Sequence, residues 1–240
     1  TPKPSSAASD VYKRQVMGDS FGLENVLWFA NNKEDAHEEP TIKRSRSHDY
    51  VSKEVINVRE NVGLIEVANF SKHEFKGPDA RKFLDHIMAG RLPKPGRISL
   101  SPMLSYRGKL CGDLTVACLD ENEFMVFGSG AAQEMHRRWF ESHIDKFNLS
   151  YSNRSDEYHG LSIAGPNSRK VLEKIVRDDV SNEKFKFRDS RRMFVGGVPA
   201  IINRISFTGE LGYEIYVAPH YQLKLYEELM EAGKEFNIKP

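Results

Sequence analysis

The sequence predicts an α+β fold, built mainly of antiparallel sheet with helices inserted at irregular intervals. Short apolar runs typical of strands cluster in groups that hairpin-sized turns separate. Helical segments interrupt these groups without strict alternation, and one strand-to-helix pattern occurs twice. A doubly wound parallel sheet would instead alternate strand and helix along the whole chain, so that class is disfavoured.

Composition and charge exclude several classes of partner. The 240 residues are 39% hydrophobic and 29% charged, as in an ordinary globular protein. The 35 basic and 34 acidic residues nearly balance, so no overall field attracts nucleic acid or an anionic membrane. No apolar run approaches the roughly 18–20 residues of a membrane span. The sequence therefore predicts neither a nucleic-acid nor a membrane partner, and its scattered His and Cys residues predict no metal site.

The N-terminal part divides into two predicted segments that precede the main domain. Residues 1–15 are polar, aperiodic and rich in Pro and Ser, so we expect them to be disordered or artefactual. Residues 16–50 carry several aromatic side chains followed by a charged stretch, which predicts a connector from an upstream domain. The globular domain is expected to span residues 51–240.

The domain begins with a predicted helix and two strands. Apolar residues recur at helical spacing over residues 51–62, and Gly63 is expected to end this helix. Strands are predicted over residues 64–67 and 72–76.

Residues 77–88 and 165–176 carry the same pattern. Each segment begins with Gly-Pro, has Arg-Lys at its fifth and sixth positions, Leu at its eighth and Ile at its eleventh. Each follows a strand-like run, and Pro78 is expected at the first position of its helix. Six identities in twelve residues favour an internal repeat over a coincidence between two well-capped helices.

The remaining elements lie between and after the two copies. Further strands are predicted over residues 98–101, 110–119, 124–127, 161–164, 193–195, 199–206 and 213–217. Further helices are predicted over residues 131–144 and 221–236.

One acidic residue stands at the start of an otherwise apolar strand. Asp113 follows a hairpin turn at Arg107 and Gly108 and precedes a run of Leu, Thr, Val, Ala and Cys. A buried carboxylate costs free energy unless it is paired or used. Because Asp also caps turns and strand edges, the spacing alone favours the structural interpretation.

A second acidic residue lies in a strand near the C-terminus. Two glycines bracket Glu210 in a tight turn, and Glu214 then falls between Tyr213 and Ile215. A carboxylate at this position could face a cavity and accept the paired N–H groups of an aminopyrimidine ring. Strand alternation equally allows Glu214 to face solvent, and the residues alone narrowly favour that interpretation.

The segment from Ile205 to Ile215 resembles the aminomethyltransferase family, which includes the T-protein of the glycine cleavage system. The shared core is Thr-Gly-Glu-Leu-Gly-Tyr-Glu, and Gly112-Asp113-Leu-Thr-Val resembles the strand that carries the family's catalytic acid. Aromatic residues within 21–30 make the chain more similar to the C-terminal modules of dimethylglycine and sarcosine dehydrogenases. The resemblance implies a T-protein-like folate-binding fold of three lobes, here incomplete because the C-terminal β-barrel lobe is missing.

The resemblance also implies a cofactor, partners and a location. The family module transfers a one-carbon unit to tetrahydrofolate, and FAD is expected only in an upstream flavin domain in cis. The small-molecule partner would be a methylated amine, dimethylglycine or sarcosine. The expected location is the cytoplasm for a bacterial protein and the mitochondrial matrix for a eukaryotic one.

The family's functional residues map onto individual positions of this sequence. Asp113 would be the catalytic acid, acting as a general base or electrostatic partner near the reacting nitrogen. Glu214 would bind the pterin ring. Further cofactor-binding positions implied are Tyr213, Thr208, Gly209, Gly212, Met103 and Leu104. The last two are equally well interpreted as core. Phe207 stands where the family often has Tyr, which implies one hydrogen bond fewer near the ligand.

Two other functions remain open from the sequence. The chain could belong to a free-standing T-protein or to a folate-dependent demethylase. It could also be a non-enzymatic folate-binding module, in which Asp113 would have no part in turnover.

Overall fold

The computed structural model of the chain describes residues 14–20, 22–39 and 41–240. Residues 1–13 of the predicted N-terminal segment lie outside the described residues. The chain divides into two compact units, Thr1–Val58 and Arg59–Pro240.

Strands and helices follow one another irregularly along the chain. The strands are β1 (Gln15–Ser20), β2 (Leu23–Phe29), β3 (Val62–Glu66), β4 (Ser71–Lys76), β5 (Arg97–Leu104), β6 (Leu110–Asp120), β7 (Glu123–Gly128), β8 (Ser150–Asn153), β9 (His159–Ala164), β10 (Ser190–Val195), β11 (Val198–Asn203), β12 (Gly212–Val217) and β13 (Ile238–Lys239). The helices are α1 (Ser47–Glu60), α2 (Ala80–Ile87), α3 (Gln133–Ile144), α4 (Ser168–Ile175) and α5 (Gln222–Gly233).

These strands form one hairpin and two larger sheets. Strands β1 and β2 pair as a hairpin in the N-terminal unit, where Trp28 packs against Tyr50 with ring centroids 4.8 Å apart and the ring planes tilted by 33°. The first sheet has the order β5-β6-β7-β4-β8, and the second has the order β10-β11-β12-β9-β3-β13. Strands β3 and β13 form a parallel pair, whereas the other neighbours are antiparallel. The predicted α+β class is confirmed, and the strands of the described residues form open sheets.

Helix α1 differs from the sequence-based expectation in its end and in its environment. It stops at Glu60, and Gly63 lies inside β3 opposite Ala164 of β9. Sheet pairing of residues 62–66, rather than a glycine break, therefore ends the helix. Of the apolar residues that define its helical spacing, Val55 and Ile56 are exposed, at 47% and 51%, whereas Val58 is half-buried.

The internal repeat is present as a structural duplication. Gly77 and Gly165 both have positive φ angles, 137° and 127°, and each accepts a hydrogen bond of 3.0 Å from the backbone three residues later. The expected helical position of Pro78 was wrong, because α2 begins only at Ala80. After α2 and after α4, three antiparallel strands return to the strand that preceded the helix, which gives the matching orders β5-β6-β7-β4 and β10-β11-β12-β9.

The two copies exchange one strand. Strand β3 precedes β4 in the chain, yet it pairs with β9 in the second sheet. Strand β8 precedes β9, yet it pairs with β4 in the first sheet. Each sheet is therefore completed by a strand from the other copy.

Each sheet has one face toward its own helices and one toward the other sheet. Phe83 and Phe140 of α2 and α3 pack on the first sheet, and Leu172 and Leu229 of α4 and α5 pack on the second. A third cluster joins the sheets directly and consists of Val67, Ile98, Ala117, Met125, Phe127, Ile201 and Tyr216. We call this cluster the inter-sheet core. The order of layers is helices, first sheet, second sheet, helices.

Within the described part of the chain, no helix combines the length and the apolar character needed to cross a membrane.

Candidate functional site

Asp113 lies near the start of β6, opposite Pro102 of β5. Because strand residues alternate between faces, Asp113 shares its face with Thr115 and Ala117, and Ala117 belongs to the inter-sheet core. The carboxylate is exposed and has no hydrogen bond or ion pair with any residue that the structure describes. Asp113 is therefore directly accessible to a ligand that approaches this end of the first sheet.

A β-bulge precedes the acid. Met103 pairs with Gly112, but Leu104 pairs with Leu110, so Cys111 is an extra residue on β6. Such bulges bend a strand and change the direction in which the next side chains point. The bulge thus separates the hairpin tip from the regular part of the strand that begins at the acid.

The two neighbours predicted to line a cavity differ in burial. Met103 is fully buried between the first sheet and its helices, where it packs in the same cluster as Phe140. The core interpretation therefore describes Met103, whose side chain lies on the helix side of the sheet. Leu104 is 37% exposed, and its role in ligand binding stays a prediction.

Glu214 lies in the middle of the second sheet, on the face that is turned toward the first sheet. It pairs with Asn203 of β11 on one side and with Ser162 of β9 on the other. Its side chain is partly buried, and its face is set by Tyr216, two residues along the same strand, which belongs to the inter-sheet core. The solvent-facing alternative for Glu214 therefore does not describe this strand.

The surroundings of Glu214 fix one carboxylate oxygen. The hydroxyl of Tyr216 donates a hydrogen bond of 3.0 Å to Oε2, whereas Oε1 has no hydrogen-bond partner among the residues described. Burial raises the pKa of Glu214 above its ordinary value, although the Tyr216 hydroxyl and the Asn203 side chain oppose the rise. The Nδ2 atom of Asn203 is buried and meets no acceptor at hydrogen-bond geometry. A partly buried carboxylate that has one oxygen without a well-aligned donor, beside the Asn203 amide, fits a planar ligand that carries N–H groups.

The turn before β12 is held by its own polar groups. The Oγ1 atom of Thr208 accepts a hydrogen bond of 3.3 Å from the Glu210 amide, and Gly209 has a φ of 80°. A Cβ atom on Gly212 would lie 2.6 Å from Cβ of Ser206, so only glycine fits there. These residues shape the turn that leads to Glu214, and direct contact with a ligand stays a prediction.

Tyr213 points away from Glu214. Consecutive strand residues face opposite sides, and Tyr213 is fully buried on the helix side of the second sheet. Its ring stacks on Phe185, and its hydroxyl accepts a hydrogen bond of 3.2 Å from Arg169. Strand alternation thus places Tyr213 in the core on the helix side while Glu214 faces the other sheet, and the implied cofactor contact of Tyr213 stays a prediction.

Both acids thus lie on inward faces of the two sheets, but no hydrogen bond joins them. Across the described residues, no group of three or more His, Cys, Asp or Glu side chains could hold a metal ion. A surface groove of about 350 Å³ includes neither acid. It is lined by Leu64, Ile65, Glu66, Leu161, Gln222, Leu223, Tyr226 and Pro240.

Sequence reasoning missed two polar residues around Glu214. Tyr216 could have been found from its position, because residues two apart in a strand share a face. Asn203 could not, because its proximity depends on the register between β11 and β12.

The comparison with protein families decides the membership of the chain. A model of the GCVT N-terminal domain matches residues 10–240, which is nearly the whole sequence. The chain belongs to this family. The matched range contains both large sheets, the two glycine turns of the repeat and both acidic motifs.

Individual members of the GCVT family have similar sequences. Mouse mitochondrial dimethylglycine dehydrogenase is 34% identical over 98% of this chain, which spans 28% of that protein. The aminomethyltransferase of Thermoanaerobacter pseudethanolicus is 30% identical over 76% of this chain and 50% of that protein. The chain therefore spans half or less of the length of these relatives.

One solved structure of the family has the same fold. The glycine cleavage system aminomethyltransferase T from Bartonella henselae superposes with a TM-score of 0.74 at 20% identity, over 95% of this chain and 56% of that one. The T-protein-like fold predicted from the sequence is confirmed.

Proposed function

We propose that this chain is the tetrahydrofolate-dependent one-carbon transfer module of a flavoenzyme similar to dimethylglycine or sarcosine dehydrogenase. The observation that carries the proposal is the environment of Glu214. Tyr216 fixes its Oε2, its Oε1 meets no well-aligned donor among the described residues, and the carboxylate lies in the strand that follows the Thr-Gly-Glu turn. This arrangement supports recognition of the amino and ring N–H groups of a pterin.

Tetrahydrofolate, when bound, supplies the nitrogen that accepts the one-carbon unit. Glu214 would accept hydrogen bonds from the heterocycle and thereby orient it. Asp113 is exposed and pairs with none of the described residues, so it can approach a cationic or protonated ligand without losing one of them as a partner. Its proposed role is to accept a proton or to stabilise positive charge near the reacting nitrogen.

The extent of the sequence matches favours a dehydrogenase-like parent. The similarity to dimethylglycine dehydrogenase spans 98% of the chain, whereas the similarity to the aminomethyltransferase spans 76%. In this proposal a flavin domain in cis would oxidise a methylated amine, with FAD bound there. The mitochondrial matrix would be the location in a eukaryote and the cytoplasm in a bacterium.

Two other functions make different demands on the protein. A free-standing aminomethyltransferase or a folate-dependent demethylase would use the same folate site without a flavin domain. A non-enzymatic folate-binding module would use Glu214 but not Asp113. The native reading frame distinguishes the dehydrogenase-like parent from a free-standing transferase or demethylase. Only the dehydrogenase requires a dinucleotide-binding glycine motif upstream of this chain.

The folate site itself is tested by a matched pair of substitutions in the full-length protein that contains this chain. Glu214→Gln should weaken tetrahydrofolate binding about tenfold to a hundredfold, because it removes the charge that the ligand N–H groups meet. Glu210→Gln changes a carboxylate four residues away, whose one ion pair among the described residues is with Arg59 at 3.9 Å, and should leave binding unchanged. Isothermal titration calorimetry measures both affinities.

Equal affinities of the wild type and Glu214→Gln for tetrahydrofolate would refute the proposed site. Weakening by Glu210→Gln to the same extent would point to the net charge of the loop rather than to one oriented carboxylate. Circular dichroism of both variants controls for folding.

A further inference from the structure

The hydroxyl of Tyr216 contacts the carboxylate of Glu214 directly. Both side chains lie on the same face of β12, and the hydroxyl donates to Oε2 at 3.0 Å. Burial raises the pKa of Tyr216 well above its ordinary value, so the group stays a hydrogen-bond donor across the neutral range. The bond therefore fixes which carboxylate oxygen remains free.

The ring of Tyr216 is enclosed on several sides. It is 1% exposed, and it stacks on Phe127 of the first sheet with ring centroids 4.6 Å apart. Gly160 lies opposite Tyr216 on β9, where an added Cβ would come within 2.6 Å of the ring. The missing side chain of Gly160 thus provides the space that the ring occupies, and close packing prevents the hydroxyl from turning away.

A buried lysine supports the ring from the first sheet. Lys72 of β4 is fully buried, and its ammonium group lies 5.9 Å from the centroid of Tyr216. The same ammonium donates hydrogen bonds of 2.6 Å to the carbonyl oxygens of Ala68 and Phe70. These carbonyls belong to the turn that leads from β3 in the second sheet to β4 in the first. The lysine therefore anchors this connecting turn beside the ring of Tyr216.

We infer that Tyr216 is a positioning residue, whose hydroxyl orients Glu214 for the N–H groups of a bound heterocycle while Phe127 and Lys72 hold its ring from the opposite sheet. The inference rests on the proposed folate function. Tyr216 acts through Glu214 and does not itself contact the ligand. The half of the molecule that carries Asp113 accordingly also shapes the recognition site in the other half.

Two hydroxyl deletions in the full-length protein test this role. Tyr216→Phe keeps the ring and its packing but removes the donor, so it should raise the pKa of Glu214 by about one unit and weaken tetrahydrofolate binding about tenfold. Tyr151→Phe is the control. It deletes another partly buried hydroxyl, which is bonded to His73 at 2.9 Å on the helix side of the first sheet, and should change neither quantity.

The pKa of Glu214 is followed by the infrared band of its protonated carboxyl group, identified by its loss in Glu214→Gln. Calorimetry gives the affinity for tetrahydrofolate. An unchanged pKa and affinity in Tyr216→Phe would overturn the positioning role, as would equal changes in Tyr151→Phe. If the wild type binds no tetrahydrofolate, the proposed function fails, and the pKa comparison still decides whether Tyr216 orients Glu214.

A second variant covers the case in which Tyr216→Phe does not fold. Site-specific replacement of Tyr216 by 3-fluorotyrosine keeps the hydroxyl and makes it a stronger donor. It should lower the pKa of Glu214, and an unchanged pKa would again overturn the role.

Discussion

The two sheets hold their acidic residues in opposite ways. Asp113 in the first sheet is exposed, follows a β-bulge and has no side-chain partner in the part of the chain that the structure describes. Glu214 in the second sheet is partly buried, flanked in register by Asn203 and Ser162, and bonded to Tyr216. The difference matches two proposed tasks. A group that accepts a proton from a ligand or stabilises its positive charge must be accessible, whereas a group that recognises a ligand needs a fixed orientation.

The largest expected effect is a loss of one-carbon transfer when Asp113 is replaced. In the full-length protein, Asp113→Asn should lower the rate of one-carbon transfer by roughly 10²- to 10⁴-fold, because it removes a general base of suitable reach. The free energy of unfolding should change by less than about 0.5 kcal/mol, since the side chain is exposed and unpaired. Formaldehyde release from the methylated amine, compared with tetrahydrofolate-dependent product, measures the transfer.

Asp145 provides a control for Asp113→Asn, because it lies just after α3, away from both inward faces. Asp145→Asn should transfer at the wild-type rate. If Asp113→Asn also transfers normally, the non-enzymatic interpretation of this domain gains over the proposed function.

The next effect tests the burial of the Lys72 ammonium beside Tyr216. Burial lowers the pKa of Lys72 from 10.5 to about 8, so the unfolded chain binds more protons than the folded one between these values. This group should therefore make the folded state more stable as the pH rises from about 8 to 10.5. Lys72→Met should remove this rise, which amounts to roughly 3 kcal/mol.

Urea unfolding of wild type and Lys72→Met at several pH values between 8 and 10.5 gives the difference curve. A control at the exposed Lys146 should follow the wild type, since Lys146→Met removes no buried charge. A difference curve for Lys72→Met that is flat with pH would show that the buried ammonium does not titrate in this window.

The smallest expected effect concerns the stability cost of the partly buried carboxylate of Glu214, a cost that the exposed Asp113 does not have. Because the pKa of Glu214 is raised in the folded state, its protonation stabilises the fold. This stabilisation is fully present below the unfolded pKa of 4.5 and is lost as the pH rises through the folded pKa. Glu214→Gln should therefore be more stable than the wild type at pH 7 by roughly 1 kcal/mol and should lose this advantage toward pH 4. Thermal unfolding across this range measures the gap, and a constant gap would contradict the assignment of burial as its cause.

Much of the fold follows from local sequence features, but the strand exchange does not. The repeated Gly-Pro segments predicted two equivalent helices, and positive φ angles at Gly77 and Gly165 confirm the equivalence. Strand β8 was not predicted, because Ser150–Asn153 holds a single aromatic residue and pairs only through tertiary contacts with β4. The strands of the N-terminal hairpin were also not predicted, and residues 16–50 were interpreted only as a connector. Pairing partners distant in the chain leave no local periodicity to detect.

The site was predictable to the extent that short motifs carry it. Asp113 and Glu214 emerged from the family resemblance, and strand alternation would have placed Tyr213 and Tyr216 on opposite faces. Lys72 gave no signal, since it lies in a polar strand whose residues are nevertheless buried from Ser71 to Phe75. Its burial depends on the meeting of two sheets, which no window of sequence describes.

The exchanged strands also constrain the order of events during synthesis on the ribosome. Strand β3 leaves the exit tunnel early, but its neighbour β9 ends only at Ala164, so the second sheet cannot begin to close around β3 until then. The first sheet similarly waits for β8 to cover β4. Because contacts this distant in sequence slow folding and leave strand edges open, the nascent chain should depend on chaperones longer than a protein of two sequential halves.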